Sequence, residues 1–119
     1  MVPVPGAPER LVGVINLHGE ILAVFDLRAL FEIAPRGLSE RSQVIVLGAE
    51  RDEFGIVADE AREVLTLRID EIHEPPGSLE GADRQLLRGV TQDALIVLDG
   101  AVLLRDDRFV INQVEDWGA

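Results

Sequence analysis

The chain has 119 residues, enough for one domain or two very small subdomains. Its 22 acidic residues face 11 basic ones, every one an arginine, and the net charge of −11 argues against a nucleic-acid surface or docking on anionic lipid. A hydrophobic content of 47% supports a core, while the lack of cysteine removes disulfides, thiolate metal sites and a thiol nucleophile. No apolar run nears the roughly 20 residues of a membrane span, and MVPVPGAPER lacks the charged start and apolar stretch of a signal peptide. These features together predict an acidic, globular, cytoplasmic protein without direct membrane insertion.

Val and Ile, 14 and 9 in number, dominate the apolar set and suit pleated strands better than helices. Leu11–Leu17 and Glu20–Leu27 predict a β-hairpin turning at His18-Gly19, where glycine supplies a positive φ. Leu27–Glu32 follows as a helical turn, with Asp26 placed to cap it. Val44–Leu47 and Phe54–Ala58 flank a polar loop of hairpin length, and Glu63–Leu67 reads as a further short strand. Leu79–Leu87 suits a second helical turn, and Ala94–Leu98 is the last clear strand. Beyond it we expect a helical turn at 101–105, an extended segment at 108–112 and a loose tail over 115–119. Six short strands with close turns predict an all-β, barrel-like architecture with short helical turns.

The chain also repeats itself. Val4-Pro5-Gly6, Gly13-Val14 and ILAVFDLRALF with Asp26 align with Pro75-Pro76-Gly77, Gly89-Val90 and ALIVLDGAVLL with Asp99. One gap at the hairpin turn reconciles the spacing. The predicted boundaries are 1–41 for an incomplete first subdomain and 42–119 for a second with a C-terminal tail. Strands precede the Pro-Gly loop in the second half only, so the first half is expected to lack its opening strands. Its hairpin would then present an unpaired edge, which predicts a homo-oligomer built through that hairpin.

Val4-Pro5-Gly6-Ala7-Pro8, Gly13–Gly19, Ile21–Leu27, Val44–Leu47, Phe54–Asp59, Glu63-Val64-Leu65 and Gly89-Val90 leading into Leu95–Asp99 together resemble the CheW-like domain. The resemblance spans about residues 3 to 104, nearly the whole chain. It implies two pseudo-symmetric, SH3-like, five-stranded barrels, the first incomplete here. It also implies a non-enzymatic adaptor that couples a chemotaxis-type histidine kinase to chemoreceptor cytoplasmic tips. The family's Asn-Leu-Arg-Gly stands here as Asn16-Leu17-His18-Gly19, so a permanently charged fork is replaced by an imidazole. The implied partner-binding residues are Asn16, His18 and Gly19 at the turn, with Phe54, Gly55 and Val57 on the following strand. Phe54 is either an exposed anchor or barrel core.

Other chemistry finds little footing. Asp70, Glu71, His73 and Glu74 are metal-ligand types, but no second histidine lies near, and an acidic turn is the simpler reading. Asp106-Asp107 lacks the alternating oxygens and central glycine of a calcium loop. Without lysine there is no phosphate-cradling P-loop, and Ser39, Ser42 and Ser78 have no nucleophile-elbow context. No catalytic residue, cofactor site or metal site is expected. The competing reading is a small-molecule-binding or enzyme-regulating β-barrel that shares only the architecture.

Overall fold

Leu11–Leu17 (β1) and Glu20–Phe25 (β2) form the antiparallel hairpin that their apolar runs predict. The computed structural model describes residues 1–3, 6, 10–31, 39–75 and 84–109. Gln43–Leu47 (β3) and Phe54–Ala58 (β4) make a second antiparallel pair, and β4 lies parallel to β2. The resulting sheet has the order β1-β2-β4-β3. As an inner strand, β2 is buried on both faces from Leu22 to Phe25.

Three aromatic rings complete this unit. Phe25 meets Phe54 and Phe109 edge-on, with ring centroids 5.7 and 5.0 Å apart, while Phe54 and Phe109 stack at 5.2 Å. All three rings are buried. Phe109 reaches the cluster from a 3-10 turn at Asp107–Phe109, so the segment from Asp106 belongs with residues 1–61. Residues 62–105 form a separate compact unit. The dividing points thus fall after Ala61 and Arg105 rather than at 41/42, because β3 and β4 pair with the first hairpin's sheet.

In the second unit, Leu87–Val90 (β5) and Ile96–Leu98 (β6) pair antiparallel, and Gly100–Arg105 (α1) follows. Asp99 caps α1, its Oδ1 accepting the amides of Ala101 and Val102 at 3.1 and 3.2 Å. Asp26 does the same for the 3-10 turn Leu27–Phe31, accepting the Arg28 amide at 3.0 Å.

The internal repeat is visible atom by atom. The β1/β2 register shifts between Leu11 and Gly13, and the β5/β6 register between Leu87 and Gly89. Just past each irregularity a separate backbone segment bridges in: Val2 to Val14, and His73 to Val90. Both glycines are needed for that approach, since a Cβ at Gly13 would stand 2.5 Å from the Val2 carbonyl oxygen and one at Gly89 would strike that of His73. Asp26 donates its amide to Arg10 O and Asp99 to Leu86 O, each at 2.8 Å.

Several expectations change. Glu63–Leu67 is not a strand: it has no pairing neighbour among the described residues, and Val64 and Leu65 are exposed. Asp107–Phe109 is a 3-10 turn rather than extended chain, because Asp106 captures the Arg108 amide at 2.9 Å. Leu87 belongs to β5 instead of ending a helix. The first hairpin is not left open, since β4 pairs with β2 and Val2 bridges to β1. The β2 side of the hairpin is thus covered, while β1 stays the outer strand of the sheet, bridged among the described residues at Val14. Neither described sheet has five strands: they hold four and two. The Pro-Gly loops at Pro5 and Pro76, the segments 79–83 and 110–112, and the tail at 115–119 lie outside the described residues.

Candidate interaction surface

The His18-Gly19 turn follows from its residues. Both take positive φ, 53° and 85°, the geometry of a two-residue turn whose twist matches a right-twisted hairpin. Glycine adopts this freely, and histidine is one of the few side chains enriched there. Asn16 Oδ1 accepts the Gly19 amide at 3.1 Å and braces the loop. Asn16, His18 and Gly19 are all exposed, and a Cβ at Gly19 would meet nothing within 4 Å.

The remaining expected contact residues lie differently. Phe54 is only 3% exposed, enclosed by Phe25 and Phe109, so its ring is core and not a surface anchor. Gly55 is buried where a Cβ would stand 2.5 Å from Val44 Cγ1 and 3.5 Å from Val24 Cγ2. Val57 is half-buried and registered with Val44. Phe54 pairs with Ala23, three residues along β2 from Glu20, or about 10 Å from the turn. The sheet therefore joins the two groups: the turn residues are exposed, Phe54 and Gly55 are buried and Val57 is half-buried.

Ile21 escaped the sequence reading. It is 67% exposed and registered with Asn16. Within EILAVF it reads as one more inward residue. It is exposed because β4 starts opposite Ala23 and leaves the first residues of β2 without a neighbour on that side. The signal that could have found it is the offset between the two hairpins, which no single strand contains.

Charge in the first unit is ordered by a repeated Asp-x-Arg device. Arg28 donates from Nε to Asp26 Oδ1 at 3.0 Å and from Nη2 to Oδ2 at 2.9 Å, and reaches Asp59 Oδ1 at 3.3 Å. Arg108 grips Asp106 likewise, with Nη2 to Oδ2 at 2.7 Å, and Arg10 Nε donates to the Arg108 carbonyl at 3.1 Å. Such two-pronged contacts exploit the planar guanidinium. Burial pushes the Asp26 carboxyl up, but hydrogen bonds and charge from Arg28 outweigh it and hold the group below the usual carboxylate value. The Arg108 side-chain hydrogen bond lowers Asp106, with burial opposing it.

His73 lines a depression together with Arg68, Asp70, Glu71, Thr91, Gln92 and Asp93. Arg68 Nη2 binds Asp70 Oδ2 at 2.8 Å there. Among the described residues no three metal-ligating side chains converge, and no helix is long and apolar enough to cross a membrane.

Two related hairpin units, each with a glycine under a bridging segment, mark the chain. The CheW-like domain family matches residues 1–108. The chain belongs to that family. A probable chemotaxis protein CheW from Rhizobium etli is 31% identical over 86 residues, covering 72% of this chain and 56% of the relative. The chemotaxis protein CheW of Klebsiella aerogenes is 31% identical over 113 residues, covering 91% of this chain and 67% of the relative. The solved scaffolding protein TtCheW from Thermoanaerobacter tengcongensis superposes with a TM-score of 0.67 at 30% identity, over 83% of this chain and 69% of that one. The mostly β, SH3-like character of the CheW-like fold is shared. The chain spans 56% and 61% of the length of the Rhizobium etli and Treponema pallidum relatives.

Proposed function

We propose that this chain is a non-enzymatic adaptor of chemotaxis-type signalling, coupling a histidine kinase to chemoreceptor cytoplasmic tips in the cytoplasm. The family match across residues 1–108 carries the reading. The likeness to a solved scaffolding protein supports it. An adaptor needs a rigid, exposed contact element more than a reactive one, and the braced Asn16–Gly19 turn has that character. We assign partner contact to Asn16, His18 and Gly19, with Ile21 as the apolar side chain beside them. Gly55 and Val57 position this end of the sheet, and Phe54 supports it from within.

The experiment is binding of the full chain to the regulatory domain of a chemotaxis-type kinase, measured by biolayer interferometry. His18→Asn and Ile21→Ser should weaken binding without shifting the melting curve, since asparagine also tolerates the positive φ at 18 and both side chains stand in solvent. A central apolar anchor is worth about 1–3 kcal/mol in such interfaces, or roughly 5- to 150-fold in Kd. Absence of binding to kinase and receptor tips alike would defeat the adaptor reading. Unchanged affinity in both variants would move the contact elsewhere.

A further inference from the structure

Positive φ is unfavourable for a residue that carries a Cβ. Among the described residues two non-glycine positions adopt it, His18 at 53° and Ala94 at 63°. One lies in the β1/β2 turn and the other in the β5/β6 turn. Both turns are spanned by a side-chain acceptor: Asn16 Oδ1 takes the Gly19 amide at 3.1 Å, and Thr91 Oγ1 takes the Leu95 amide at 3.2 Å. In each case the bond runs from a residue ahead of the left-handed one to the amide directly after it. Two turns of different length and sequence thus share one device, which ties down the peptide plane that the left-handed residue must present.

Magnitude decides what that device can do. The Asn16 bond is exposed, so water competes for the same amide and the net contribution to global stability is small. Its local effect is of another kind. Backbone dihedrals set the direction of the Cα–Cβ bond, so a His18 that leaves the left-handed region carries its imidazole to a different bearing. A partner that fits one bearing then meets only the fraction of molecules that hold it, and affinity falls in proportion.

We propose that Asn16 is a positioning residue for partner binding: its Oδ1 bond to the Gly19 amide holds His18 left-handed and fixes where the imidazole meets the partner. This rests on the adaptor reading and adds to it which atom of Asn16 matters and through which residue it acts.

The test measures binding of the full chain to the regulatory domain of a chemotaxis-type kinase by biolayer interferometry, with amide exchange at Gly19 and thermal melting alongside. Asn16→Ala should speed Gly19 exchange and leave the melting curve in place. It should weaken binding about fivefold, which corresponds to a competent fraction of roughly one fifth. Asn16→Asp keeps the acceptor and should recover most of that loss, with slow exchange restored. In a His18→Gly background residue 18 takes positive φ unaided and carries no imidazole, so Asn16→Ala should have no further effect on affinity. Equal weakening by Ala and Asp at position 16, or an undiminished effect of Asn16→Ala in the His18→Gly background, would overturn the proposal and make Asn16 a direct contact. Unchanged Gly19 exchange in Asn16→Ala would overturn the bridge itself, whatever the affinity. Failure of the unsubstituted chain to bind the kinase defeats this proposal and the kinase arm of the adaptor reading together, whereas binding that Asn16→Ala leaves intact defeats this proposal alone.

Discussion

Removing the Phe54 ring tests how the first unit is held together. The ring is 3% exposed, stacks on Phe109 at 5.2 Å and meets Phe25 edge-on at 5.7 Å. Burying a phenylalanine side chain is worth about 1.5–3 kcal/mol relative to exposure. Each well-oriented ring pair adds about 0.5–1.5 kcal/mol. Phe54→Ala deletes both contributions and leaves a cavity between two rings that are fixed by a strand and a capped turn. We expect a loss of about 3–5 kcal/mol, the range seen for such truncations. For a chain of this length that lowers the melting temperature by about 10–20 °C. Phe54→Leu, which keeps most of the volume, should lose less than half as much. Urea unfolding followed by circular dichroism gives the difference from the midpoint and slope. A loss below about 1 kcal/mol at unchanged slope would refute the aromatic core. Kinase binding lost at full stability would instead make Phe54 a surface anchor.

The paired aspartates make stability depend on acid. Asp26 and Asp106 both sit below the usual carboxylate value when folded. Their contribution is therefore complete above the unfolded value of about 4, and is lost as the pH falls through the lowered folded value. Asp26→Ala should lose about 1–2 kcal/mol at neutral pH through the missing cap, and should flatten the plot of urea midpoint against pH between 5 and 3. At the hairpin tip, Gly19→Ala places a Cβ at a φ of 85° and should cost about 1 kcal/mol in thermal melting, although nothing stands within 4 Å. His18→Asn, which also tolerates positive φ, should be nearly neutral. Gly13→Ala should displace the Val2 carbonyl, opening the bridge to Val14 and speeding amide exchange at both residues.

Local order was legible in the residues. The hairpin at His18-Gly19, the Asp26 and Asp99 caps and the Gly13/Gly89 repeat each depend on neighbours a few positions apart, or on a signature written twice. The resemblance to the CheW-like domain rested on the same short segments in sequence order. Tertiary structure decided which strands meet. Nothing within FGIVA states that it will lie parallel to EILAVF, because that pairing joins residues about 30 positions apart and depends on which apolar face remains uncovered. The same choice sends Phe54 into the core, leaves Ile21 in solvent and denies Glu63–Leu67 a neighbour, although its residues are as strand-like as those of β6. Phe109 reads as part of an extended segment until Asp106 turns the chain and stacks its ring on Phe54. A strand needs a partner, and the partner is a property of the fold.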